Sequence, residues 1–234
     1  MKYLREKIRN IKYNFKFFNK NKDTKLNYTV NSSTNSKLTE LMNLHGSDKG
    51  GRNNHHNYSE YYSEIFYDKR KEVKNFLEIG LGTNNVNIAS NMGAEGVPLA
   101  SLRAWRDYFE NANIYGADID KDILQNENRI KTFFVDQTNP ETINLLFKNI
   151  NVKNFDVILE DGLHEYNANI CFFENSIKYL KDNGTYIIED VYYKDKEKFI
   201  NYFKNTDYNY SIVDIFHEKN IANNCVVVVR KNNA

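Results

Sequence analysis

The chain has 234 residues, with 32 Lys and Arg against 31 Asp and Glu, a size that one domain fills while burying roughly 70% of its unfolded surface. A net charge of +1 gives no electrostatic reason to expect nucleic acid as a partner. Two cysteines in apolar surroundings, Cys171 and Cys225, speak against a disulfide framework and for a reducing, cytoplasmic setting, and no apolar run approaches the roughly 20 residues of a membrane span.

Taken in chain order, residues 1–22 carry Leu4, Ile8, Ile11, Phe15 and Phe18 at helical spacing among eight Lys and Arg, the pattern of a basic amphipathic helix. It has no continuous apolar core or small-residue cleavage site, so it is not a signal peptide. We expect it to pack on the domain or on a second subunit of a homo-oligomer, ahead of weak peripheral contact with a membrane surface. Residues 23–36 are a polar connector, which divides the chain into an N-terminal segment, 1–36, and a main domain, 37–234.

From Asn75 onward strands and helices alternate. Phe76–Ile79 is a strand running into Gly80-Leu-Gly82. A loop-rich insertion covers 84–100, and Ser101 caps a helix through Phe109. Ile114–Asp118 and Thr132–Val135 are the next strands, followed by a helix from Pro140 to Lys148. Val157–Leu159, a helix from Asn167 to Leu180, and Tyr186–Ile188 come next. Tyr208–Phe216 and Cys225–Val229 close the sheet as an antiparallel pair. Such alternation argues an α/β fold, a mostly parallel sheet with helices on both faces.

The chemistry sits where these strands stop. Glycines after the first strand let the backbone turn sharply and approach a ligand, but the third glycine of a dinucleotide fingerprint is missing and Asp118 follows too late for one. Glu78 would repel a pyrophosphate and would stabilise a sulfonium or ammonium group. Asp118 can accept both ribose hydroxyls, and Asp136 with Gln137 can hydrogen-bond adenine. Acids on three successive strand ends suit S-adenosylmethionine. Further on, Asp161-Gly-Leu-His164 and Glu189-Asp190 each follow an apolar strand. Their carboxylates can converge on a hard divalent cation, with the histidine as a base beside it. His45, His55 and His56, near Tyr58 and Tyr62, read as a lid over the cofactor rather than a zinc site.

These stretches carry a resemblance. Leu44-His-Gly-Ser-Asp-Lys49 with Tyr58 and Tyr62, Leu77-Glu-Ile-Gly80, Ser101-Leu-Arg-Ala-Trp105, Asp136-Gln137, Asp161-Gly-Leu-His164 and Ile187-Ile-Glu-Asp190 are similar to class I S-adenosylmethionine-dependent methyltransferases. More narrowly, the sequence resembles the Mg²⁺-dependent sugar O-methyltransferases of macrolide biosynthesis, the mycinamicin type, and their relatives in polysaccharide loci. The resemblance covers roughly residues 41–190. It implies a Rossmann-like fold, a seven-stranded mostly parallel sheet with an antiparallel C-terminal strand. It also implies cofactor contacts at Glu78, Gly80, Gly82, Ser101, Asp118, Asp136 and Gln137, Mg²⁺ on Asp161, Glu189 and Asp190, and His164 as general base. Where the family has Asp-Asp-Gly-Ser-His, this chain has Glu160 and Leu163, so its acceptor pocket is expected to differ.

The implied reaction is O-methylation of a sugar hydroxyl on a glycan or glycosylated metabolite. Three other readings stay open at this point: methylation of a phosphate or phosphoramidate oxygen on a glycan, a hydroxylase of the cephalosporin type, and a non-catalytic adenosine-binding protein.

Overall fold

The computed structural model describes residues 36–52, 55–220 and 222–231 and the strand backbone of 24–28; the amphipathic segment 1–22 lies outside the described residues. Eight strands form one sheet: β1 (Thr24–Tyr28), β2 (Asn75–Ile79), β3 (Asn113–Asp118), β4 (Ile130–Phe134), β5 (Phe155–Glu160), β6 (Leu180–Ile188), β7 (Asn209–Ile215) and β8 (Cys225–Arg230). Their order is β1-β7-β8-β6-β5-β2-β3-β4, and only β8 runs antiparallel, slotted between β7 and β6. The expected seven-stranded sheet is therefore present. An eighth, parallel edge strand, β1, is added to it from within the expected polar connector.

Six α-helices accompany the sheet among the described residues: α1 (Lys37–His45), α2 (Tyr58–Phe66), α3 (Ala100–Tyr108), α4 (Pro140–Ile150), α5 (Tyr166–Ser176) and α6 (Lys196–Phe203). Successive strand residues face opposite sides, and β2 shows the consequence. Phe76 faces one core with Tyr62, Trp105 and Phe109, from α2 and α3. Leu77 faces the other, with Phe147, Phe172 and Phe203 from α4, α5 and α6. Trp105 is fully buried and stacks on Phe109 with ring centroids 5.3 Å apart. The α3 start differs from expectation. The helix begins at Ala100, with Leu99 before it in the left-handed region at φ 65°, so Ser101 lies in the first turn with its side chain buried rather than at the cap.

The chain order reverses direction between β2 and β5, which sit side by side at the centre of the sheet. In an open α/β sheet the crevice at such a switch point, beyond the carboxyl ends of the strands, is where ligands bind.

Candidate active site

The strand ends arrive there in register. Ile79 lies opposite both Ala117 and Glu160, and Glu160 lies opposite Ile188, so Gly80, Asp118, Asp161 and Glu189 all leave the sheet at one level. Above them is a cavity of about 840 Å³, within the range of small-molecule sites. Gly80, Gly82, Ser101, Asp118, Asp136 and Gln137 line one part of it, and Asp161, His164 and Asp190 another. Glu78 and Glu189 are fully buried and lie behind this lining.

Gly80 is required where it stands. Its φ is 82°, and a Cβ there would sit 1.8 Å from the Asp161 carbonyl oxygen, so the loops after β2 and β5 touch backbone to backbone. Asp118 holds the next turn: its carboxylate accepts the Leu81 amide at 2.6 Å and the Asp120 amide at 2.8 Å. Each oxygen keeps a lone pair for a ligand hydroxyl. Asp136 is half-buried and accepts the Thr138 amide at 2.9 Å and hydroxyl at 2.6 Å. Gln137 has a different task from the one expected of an adenine contact. Its amide nitrogen donates to Glu160 at 3.0 Å and its oxygen accepts the Leu163 amide at 2.7 Å, bracing the Gly162–Leu163 turn. Burial pushes Glu160 up to about 7, against the opposing pull of His164.

Glu78 follows from the two-residue period of β2: it shares the Phe76 side and faces the layer that holds α1 and α2. Burial lifts its pKa to about 8, against the opposing pull of Lys49 3.6 Å away and of the nearby Ser101 hydroxyl. A carboxyl whose folded pKa exceeds its unfolded value of 4.5 favours the protonated fold. Its contribution is intact below about pH 4.5 and is lost as pH rises through about 8. Glu78→Gln, fixed in the neutral form, is therefore expected to gain thermal stability relative to the parent across that window, by about 1.4 kcal/mol for each pH step. Melting curves of both proteins from pH 5 to 9 check this, and a difference that stays flat would refute it.

The metal-type residues divide into two groups. The turn after β6 parts its two acids: Glu189 is fully buried and points inward, whereas Asp190, in the left-handed region at φ 53°, lines the cavity. One oxygen each from Asp161 and Asp190 and one ring nitrogen of His164 lie within 4.8 Å of one another. His164 Nε2 is 3.6 Å from Asp190 Oδ2, and Nδ1 is 3.9 Å from Asp161 Oδ1. His164 also has positive φ, 58°, and its buried Nδ1 has no hydrogen-bond partner. Backbone strain and an unsatisfied ring nitrogen at one residue are features that cluster at functional sites. The Tyr58 hydroxyl donates to Asp190 at 2.6 Å.

Glu189 is held elsewhere. Its Oε1 accepts the Tyr62 hydroxyl at 2.6 Å and its Oε2 accepts Lys49 Nζ at 2.6 Å. Lys49, quoted in the motif without a role, is the site residue that sequence reasoning missed. It is 2% exposed, and besides Glu189 its ammonium reaches Asp161 Oδ2. Those carboxylates raise its pKa against the burial that would lower it. The turn carrying it, Asp48–Gly50, is tight: a Cβ on Gly50 would fall 2.4 Å from Asn43 Oδ1. The expected histidine lid is only partly assembled. His55 lines the cavity, His56 stacks on Tyr58 at 4.7 Å beside Asp190, and His45 turns away to Asp107 at 2.8 Å.

No family model matches the chain. Curated relatives do. A tetracenomycin rhamnosyl 2'-O-methyltransferase of Streptomyces olivaceus is 30% identical over 154 residues, 66% of this chain and 37% of that protein. The mycinamicin VI 2''-O-methyltransferase of Micromonospora griseorubida is 30% identical over 138 residues, 58% of this chain and 32% of that protein. Among solved structures, the MycE methyltransferase of the mycinamycin biosynthetic pathway, in complex with Mg, SAH and mycinamycin VI, superposes with a TM-score of 0.55 at 28% identity, over 68% of this chain and 38% of that one. The SAH-bound Podospora anserina methyltransferase PaMTH1, at 13% identity, a TM-score of 0.52 and 86% and 89% coverage, shares the fold. This chain spans little more than a third of the length of the curated relatives it matches. The fold is that of class I methyltransferases, and the resemblance to the sugar O-methyltransferases is borne out.

Proposed function

We propose, from a chain whose fold is that of the class I methyltransferases and whose relatives are sugar O-methyltransferases, that it transfers a methyl group from S-adenosylmethionine to a sugar hydroxyl with the aid of Mg²⁺. The acceptor class is a glycan or a glycosylated metabolite, of polysaccharide or natural-product type. The observation that carries this reading is the single cavity running from the Gly80–Gly82 turn to Asp161, His164 and Asp190. One ligand can bind over the glycines while another meets the histidine. The relatives' names favour methyl transfer over a cephalosporin-type hydroxylation.

Gly80 and Gly82 would let the backbone approach the cofactor, Asp118 would accept its ribose hydroxyls, and Asp136 would stand beside the adenine, with Ser101 in the wall. Glu78 would lie beneath the sulfonium end, whose positive charge would favour ionisation of a carboxyl that burial otherwise lifts to about 8. The carboxylates of Asp161 and Asp190 fit a divalent cation, and the unpartnered Nδ1 of His164 beside them is left free to accept a proton. Glu189 would support Asp161 from behind through Lys49. When bound there, Mg²⁺ would supply positive charge at the acceptor hydroxyl and lower its pKa. His164 would take the hydroxyl proton as the oxygen attacks, and the cavity wall would hold the acceptor in line with the methyl group.

Among the described residues no helix is long and apolar enough to cross a membrane, and free Cys171 and Cys225 fit the reducing environment of a cytoplasmic enzyme.

Titration calorimetry tests the cofactor half. S-adenosylhomocysteine is expected to bind and NAD not to. Asp118→Ala should weaken the former at least about tenfold, the equivalent of about 1.4 kcal/mol, because both a ribose acceptor and the brace on Leu81 are lost. Unchanged affinity in that variant would remove the cofactor assignment.

A further inference from the structure

The rim of the cavity beside Asp190 carries a cation that no carboxylate among the described residues neutralises. Elsewhere the arginines are tied down: Arg103 and Arg106 reach Glu127, and Arg129 donates to the carbonyls of Arg106, Phe109 and Ala112. Arg52 is exposed, lines the cavity and has no such partner. Its turn is fixed next to Asp190. The Gly51 amide donates to the His56 carbonyl at 2.7 Å, and His56 Nε2 lies 3.3 Å from Asp190 Oδ1. Tyr192, two residues beyond Asp190, also lines the cavity and keeps 40% of its surface exposed. Lys194 Nζ lies 5.6 Å from the centroid of that ring. It too is exposed and without a carboxylate partner among the described residues. Two unneutralised cations and an open aromatic ring thus gather at the end of the cavity where Asp190 stands.

We infer that the acceptor sugar is anionic, its phosphate or carboxylate held by Arg52 with Lys194 beside it and its ring laid on Tyr192. This rests on the sugar methylation proposed above and names the chemistry of the acceptor. The planar guanidinium fork matches two oxygens of a phosphate or a carboxylate at once, as a lysine cannot. The apolar C–H face of a sugar packs on a phenol ring whose hydroxyl stays in water. An acceptor gripped in this way would be held by its charged substituent and its ring, and would present a hydroxyl toward Asp190 and His164. A neutral glycoside would leave both cations unpaired. A glycosyl phosphate and a uronic acid offer the same oxyanion chemistry, and the experiment separates them.

The test is binding to the S-adenosylhomocysteine complex in EDTA, so that no metal contributes, followed by ligand-observed NMR titration of glucose 1-phosphate, glucuronate and methyl glucoside. At least one anionic probe should bind at least about tenfold more tightly than the neutral one, and the tighter of the two identifies the group. Arg52→Gln should abolish that preference and Arg52→Lys should restore part of it, with the thermal midpoint unchanged in both because the side chain is exposed. Added salt should weaken the preference. Tyr192→Ala should weaken all three probes alike. Equal binding of neutral and anionic probes, a preference that survives Arg52→Gln, or no binding of any probe would overturn the inference. Methyl transfer to a neutral glycoside could persist in each of those cases, leaving the reaction intact. Conversely, an Arg52-dependent preference in a protein that methylates no acceptor would keep the anion site and remove the reaction.

Discussion

His164→Ala is expected to lower kcat by about 10²–10⁴-fold, the range for loss of a positioned general base, in a protein that still folds and binds S-adenosylhomocysteine. The imidazole makes no hydrogen bond through Nδ1, and its side chain retains 19% exposure at the cavity wall, so its removal deletes little packing. The backbone at φ 58° is unfavourable for histidine and alanine alike, which keeps the comparison fair. Formation of S-adenosylhomocysteine with a panel of glycosylated acceptors, and the thermal midpoint, are to be measured on one preparation. Retained turnover would falsify the base assignment. A large drop in the midpoint with near-normal turnover would make His164 a structural residue.

Asp161→Asn should be the other severe change. It removes a carboxylate from the proposed cation and an ion-pair partner from Lys49 at once. Loss of a metal contribution of several kcal/mol corresponds to at least about a hundredfold in turnover. Chelation of the parent with EDTA should give the same loss, and added Mg²⁺ should reverse it in the parent but not in the variant. Lys49 keeps Glu189, so the fold should survive with a lowered midpoint. Full turnover of the parent in excess chelator would end the metal reading.

Much of this architecture is legible in the residues because buried parallel strands are short continuous apolar runs. Phe155–Leu159 and Tyr186–Ile188 announce themselves, and the carboxylates that end them mark the crevice. Helices α1 and α2 carry their signal as spacing, with Leu38, Leu41 and Met42 in one and Tyr58, Tyr61, Tyr62 and Phe66 in the other buried on one face, a weaker mark over nine residues than a continuous apolar run. β1, Thr-Lys-Leu-Asn-Tyr, has the composition of a connector, and only its pairing with β7 makes it a strand. Ser101 is inside the helix and not at its cap because Leu99 adopts a left-handed conformation that a leucine gives no reason to expect. Lys49 was invisible for a different reason: it meets Asp161 and Glu189 across 112 and 140 residues of chain, and no local pattern encodes a contact of that span. The inward turn of Glu189 was hidden with it.

The position of β8 has a consequence for how the molecule is made. Cys225–Arg230 lies between β6 and β7, so two strands that precede it in the chain cannot finish their hydrogen bonding until it arrives. Until then the sheet is a half-closed book, with β6 presenting an unpaired edge to any other extended chain. Val226–Val229, almost fully buried, are the residues that close it. β8 pairs β7 as a near neighbour in sequence and β6 from about forty residues away, and it is the second, longer-range pairing that closes the sheet. An extended segment that took the β6 edge before this valine run would keep the sheet from closing.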